Sequence, residues 1–167
     1  MEIPVSHIIT ELIRCDAGDP RRVQHALKVY AFAKSIGEEE GLAAGPLAVL
    51  ETAAVLHDIG IHESERKYGS SAGNYQELEG PPVAREILNP FGLPPEFTER
   101  VCFLIGHHHT YSNIDGPDYQ ILVEADFLVN LYEDGLKPEQ AKTALEKIFR
   151  TETGKTYLRE MFLPEAE

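Results

Sequence analysis

The stretch RRVQHALKVYAFAKSIG, Arg21 to Gly37, sets the strongest constraint on this chain. Val23, Ala26, Leu27, Tyr30 and Ala33 recur at the spacing of one helix face, and Val29, Phe32 and Ile36 form a second stripe beside it. A helix apolar over so much of its surface has to lie at the centre of a fold, with other helices around it. The rest of the chain agrees, because no stretch alternates apolar and polar residues as a half-buried strand would.

Helices are predicted over about Val5 to Cys15, from Pro20 with Asp19 as N-cap, and through GLAAGPLAVLETAAVLHD, with Gly60 just past its end. A long irregular segment, IHESERKYGSSAGNYQELEG, is expected next. It is followed by a short helix PPVAREIL, a turn NPFGLPP and the helix PEFTERVCFLIGHHH. PDYQILVEADFLVNLY, LKPEQAKTALEKIFR and about Thr151 to Phe162 complete the set. With 167 residues and no repeat or linker, the reading is all-α: one compact single-domain helical bundle over residues 1–167.

A net charge of -13 excludes a nucleic-acid polymer as the main partner, since that binding rests on clustered Lys and Arg. No run approaches a membrane span, and the first residues, MEIPVSHIITELIRC, do not read as a secretory signal, so no membrane association is expected. Cys15 and Cys102 are read as buried, reduced thiols, and the expected compartment is the cytoplasm.

The apolar faces carry polar residues. His25 extends the row Val29, Phe32, Ile36; His57 and Asp58 follow the buried run AVL; His107 and His108 extend Phe103, Leu104 and Ile105; Asp126 sits among Leu122, Val123 and Val129. Alone, each histidine could simply be bonded to a carbonyl. Together they place imidazoles and carboxylates on the inner faces of four helices, the way helical bundles build metal centres. Imidazole plus carboxylate without nearby cysteine suits Zn, Mn, Fe or Ni.

At these residues the chain resembles the HD-domain superfamily of metal-dependent phosphohydrolases. The HDIG string, an upstream His25 and the VEADFLVNL segment carry the likeness, from about Arg21 to Tyr132. The resemblance implies one or two divalent ions (Fe, Mn, Ni, Zn or Mg) held by His25, His57, Asp58 and Asp126, with Asp58 as the bridge between two. The HD-GYP subgroup adds an adjacent histidine pair, matched here by His107 and His108. Its remaining histidine falls near Gly80, where Glu79 is the oxygen ligand at hand. Ile61 stands where a lysine often follows HDIG, and the GYP string is replaced by TYSNIDGPDYQ, which points away from cyclic dinucleotides.

The expected activity is hydrolysis of a small phosphate ester or anhydride, a nucleotide among the candidates, with His57 and Asp58 as the catalytic pair. The partner is then a small phosphorylated molecule, met by Arg22 one turn before His25, by Lys67, and by Asn130 one turn after Asp126. His62 and His109 are expected on the solvent side or outside the ligand set. Two alternatives stay open: a di-iron oxygenase of the same superfamily, and a non-catalytic module that binds metal or nucleotide and signals. The first helix and the last two lie outside the family core and are candidates for homodimer contacts.

Overall fold

The computed structural model describes residues 3–164. At its centre α2 (Pro20–Glu39), α3 (Ala44–Leu56) and α7 (Pro117–Glu133) pack against one another. The second of these is apolar over most of its surface, with Val49, Leu50 and Ala53 to Leu56 all buried, so it runs through the middle of the molecule. Around this core lie α1 (Val5–Cys15), α4 (Ile61–Tyr68), α5 (Gly73–Leu88), α6 (Pro95–Ile105), α8 (Pro138–Lys147) and α9 (Glu152–Phe162). A 3-10 turn at Asn89–Phe91 completes the set, and no strand occurs among the described residues.

Several helices start where local chemistry favours it. Proline opens α2, α6, α7 and α8, at the position where its missing N–H is not needed. The Asp19 carboxylate accepts a hydrogen bond from the Arg22 backbone N–H, capping α2.

The segment expected to be irregular is helical. IHESERKY forms α4 and GNYQELEGPPVAREIL forms α5, leaving only Gly69–Ala72 between them. Its polar character hid a helix supported by a Glu63–Arg66 pair and ended by Gly69, whose φ of +65° closes the turn. Pro81 and Pro82 lie inside α5, not at its start, because the helix is clamped from both sides. A Cβ on Gly60 would come within 2.6 Å of the Gly80 backbone nitrogen, so this glycine lets the HDIG turn rest directly on α5. On the other side α5 packs on α6, whose Cys102 thiol donates to the Pro81 carbonyl.

Of the two cysteines, Cys102 is buried as expected but Cys15 is exposed, as the last residue of α1. The flanking helices pack on their own chain: α1 against α3, and α9 against α7 with α8 beside it. Glu124, fully buried in α7, accepts from the backbone N–H groups of Arg150 and Thr151 and so anchors the start of α9. No single described helix is long and apolar enough to cross a membrane.

Candidate metal centre

Four helix faces meet at Asp58. Helix α3 ends at Leu56, and the turn that follows holds His57, fully buried, and Asp58, whose side chain is 14% exposed at the floor of a cleft. From α2 comes His25, from α7 Asp126, and from the turn after α6 come His108 and His109. On one side of Asp58 its Oδ2 lies 3.2 Å from His25 Nε2 and 3.3 Å from His57 Nε2. Asp126 Oδ1 lies 3.1 Å and 3.4 Å from the same two nitrogens, which are themselves 3.2 Å apart. On the other side Asp58 Oδ1 lies 3.2 Å from His108 Nε2, and His109 completes a second group with them.

These distances fit a cation. Donors each about 2.1 Å from one ion stand about 3.0 to 3.4 Å apart for octahedral to tetrahedral angles. The tautomers fit as well. His57 Nδ1–H donates to the Ala54 carbonyl and His108 Nδ1–H to the Ile105 carbonyl, each at 2.7 Å, while His25 Nδ1–H donates to Glu133 at 2.6 Å. With Nδ1–H so engaged, each ring has only its Nε2 lone pair to offer a cation, and that nitrogen faces inward.

The electrostatics agree. Burial pulls the His25 imidazole down, yet its bonds to Asp126 and Asp58 overcome this and raise it to about 9. His57 is raised likewise, against burial, by Asp58 and Asp126. Burial would raise Asp58 and Asp126, but the surrounding imidazoles hold both well below the usual carboxylate range. With protons as the only cations present, the two carboxylates keep them on the histidines; the pocket is built for positive charge. His109 differs, being lowered to about 4 by burial and by His108, which leaves it a neutral donor.

The cleft above, about 150 Å³, is lined by Arg21, Arg22, Gln76, Asn130, Glu133 and Asp134 besides His25, Asp58, His109 and Asp126. Neither arginine has a carboxylate partner among the described residues, so both remain able to meet an anion.

Not every expected residue arrives. His107 is turned out, stacked on Phe103 at 4.0 Å with its Nδ1–H on the Phe103 carbonyl; the adjacent pair at Asp58 is His108 and His109. His109, expected on the solvent side or outside the ligand set, is thus the histidine that the structure brings beside Asp58 and His108. The helix ends at Ile105, and beyond it the 3.6-residue period no longer tells which way a side chain points. Glu79 gives one carboxylate oxygen to Lys67 and the other to Tyr68, at 2.7 and 2.8 Å, so both Glu79 and Lys67 are engaged with each other on the α4–α5 surface. His62 bonds Asp19 instead, at 2.9 Å. Glu133 went unnoticed in the sequence, although Asp126, Asn130 and Glu133 follow the four- and three-residue spacing of one α7 face.

An all-helical core with buried imidazoles and carboxylates converging on a shared aspartate defines a helical metal-binding protein. More narrowly, the chain belongs to the HD-domain family: the HD domain family model matches residues 22–165. A solved structure of a predicted HD superfamily hydrolase from an uncultured Thermotogales bacterium shares the fold. It is 24% identical, with a TM-score of 0.63 over 93% of this chain and 82% of that one. No curated protein matches significantly.

Proposed function

We propose that the protein is a phosphohydrolase of a small phosphate ester or anhydride, nucleotides among the candidates, working with one or two divalent ions. The observation that carries this reading is Asp58. Its two oxygens face two separate groups of histidine nitrogens, beneath a cleft whose arginines have no carboxylate partner among the described residues. His25, His57, Asp58 and Asp126 would hold one ion, and Asp58, His108 and His109 a second. Such an ion supplies a water acidified to near neutrality and a Lewis acid for a phosphoryl oxygen. The chain's own residues do the rest. Neutral imidazoles add no negative charge to the centre, so it keeps its attraction for an anion in spite of the acidic surface. Arg21 and Arg22 reach the phosphoryl oxygens from the start of α2, and the Asn130 amide orients the group from α7. Binding and alignment are then the main contribution of the protein to phosphoryl transfer.

The test is elemental analysis of protein purified without chelator, followed by phosphate release from a panel of nucleotides and small phosphomonoesters after loading with Mn, Fe, Ni, Zn or Mg. Metal-dependent phosphate release supports the reading. Two irons per chain with oxygen consumption and no phosphate release would replace it with the oxygenase. Metal-free protein that refuses every ion leaves only a binding module.

A further inference from the structure

The three histidines that turn Nε2 toward Asp58 are not held alike. His57 and His108 stand just past the ends of α3 and α6, where the last carbonyls of a helix lack an intrahelical partner. Each therefore finds its Nδ1–H acceptor three residues back on its own backbone, at Ala54 and Ile105. His25 lies in the body of α2, where the preceding carbonyls are already used by the helix. Its acceptor has to come from another element, and it is the Glu133 carboxylate, 108 residues away in sequence, at 2.6 Å.

We infer that Glu133 is a positioning residue: through His25 it sets how tightly the side of the centre formed by His25, His57 and Asp126 holds its cation, and Lys28 anchors it. Two functions follow from the placement. The carboxylate fixes the tautomer that leaves the His25 Nε2 lone pair inward, and its negative charge makes that nitrogen a stronger donor than a backbone carbonyl would. Glu133 itself is held by Lys28 Nζ, 3.0 Å from its other oxygen. The lysine lies 5.8 Å from the centre of the Tyr132 ring, so a half-exposed cation on α2 steadies a carboxylate that is only 13% exposed. His25 thus depends on a two-link chain that spans α2 and α7, whereas its neighbours depend on their own turns.

The inference rests on the metal reading of the site and not on hydrolysis. Zn2+ affinity of the full-length protein is measured by competition with a chromophoric chelator for wild type, Glu133→Ala, Glu133→Gln and Lys28→Met. Proton and nitrogen NMR of the zinc-loaded imidazoles reads the hydrogen bond made by the His25 Nδ1–H. Removal of such a carboxylate lowers affinity by roughly 10- to 100-fold. Glu133→Ala is expected in that range, with the His25 Nδ1–H signal moved upfield as its acceptor is lost. Glu133→Gln, which keeps an acceptor but no charge, falls between Ala and wild type in both readouts, and Lys28→Met shows the smallest loss. Affinity of Glu133→Ala within two-fold of wild type, with the His25 Nδ1–H signal unmoved, overturns the proposal. Should Glu133→Ala fail to fold, Glu133→Gln decides: affinity equal to wild type overturns it. Wild-type protein that binds no Zn2+ removes this proposal together with the metal reading, whereas wild-type binding indifferent to Glu133 removes this proposal alone.

Discussion

The two sides of Asp58 share one carboxylate and differ in almost everything else. Toward His25 and His57 the donors are crowded within 3.1 to 3.4 Å, a second carboxylate, Asp126, joins them, and a third, Glu133, stands behind His25. Toward His108 and His109 Asp58 is the carboxylate that meets a ring nitrogen, Glu77 accepts from the His109 backbone N–H, and the His109 ring is held by a neutral partner, the Gln76 side chain, at 3.0 Å. The first side therefore keeps protons on its imidazoles in the absence of a cation, while His109 stays neutral down to about 4. The comparison teaches that one aspartate can present its two oxygens to surroundings of unequal charge: further carboxylates crowd one side, and imidazoles with an amide partner make the other.

The most severe way to break the comparison is to remove what the sides share. Asp58→Ala should empty both positions and lower turnover by roughly 10³-fold or more, with the helical circular dichroism preserved. Metal per chain and phosphate release check it, and retention of full metal content would show that Asp58 is no bridge.

A gentler change separates the sides. Asp126→Asn should weaken the tighter ion by roughly 10- to 100-fold, whereas His109→Ala should leave that ion in place and lower the stoichiometry of the weaker one. Elemental analysis across a metal titration distinguishes them; identical losses in both variants would mean the sides are one site.

The smallest effect is on stability. His25 has its pKa raised from 6.5 to about 9 in the cation-free fold, so its bonds to Asp126 and Asp58 stabilise fully below pH 6.5. That contribution is lost as pH rises through about 9, and amounts to at most on the order of 3 kcal/mol. The melting temperature of chelator-treated protein should fall over pH 6.5 to 9, and metal-loaded protein, whose imidazoles carry no such protons, should lack this fall. His109 contributes nothing in this window, because its pKa lies below it.

Much of the arrangement was legible in the sequence. His25, His57, Asp58, His108 and Asp126 were readable as inward-facing because each continues an apolar row on a regular helix or at its immediate end. The helix starts at Pro20, Pro95 and Pro117 were readable from proline in the first turn, whereas the helix read from Leu136 begins at Pro138. The charged stretch from Ile61 to Glu79 was not, since a helix on the rim shows little apolar stripe and draws its support from pairs such as Glu63–Arg66 and from the Gly60–Gly80 contact. Nor was the choice of His109 over His107, which is made after α6 has ended and its periodicity with it.

Alone, then, the sequence determined an all-helical chain with imidazoles and carboxylates on its inner faces, because helix formation and side-chain facing are set by neighbours three and four residues apart. Only the tertiary structure decided which nitrogen meets which oxygen. The bond from His25 to Glu133, the pairing of Glu79 with Lys67 and the division of Asp58 between two histidine groups depend on how helices pack. No local spacing records that packing.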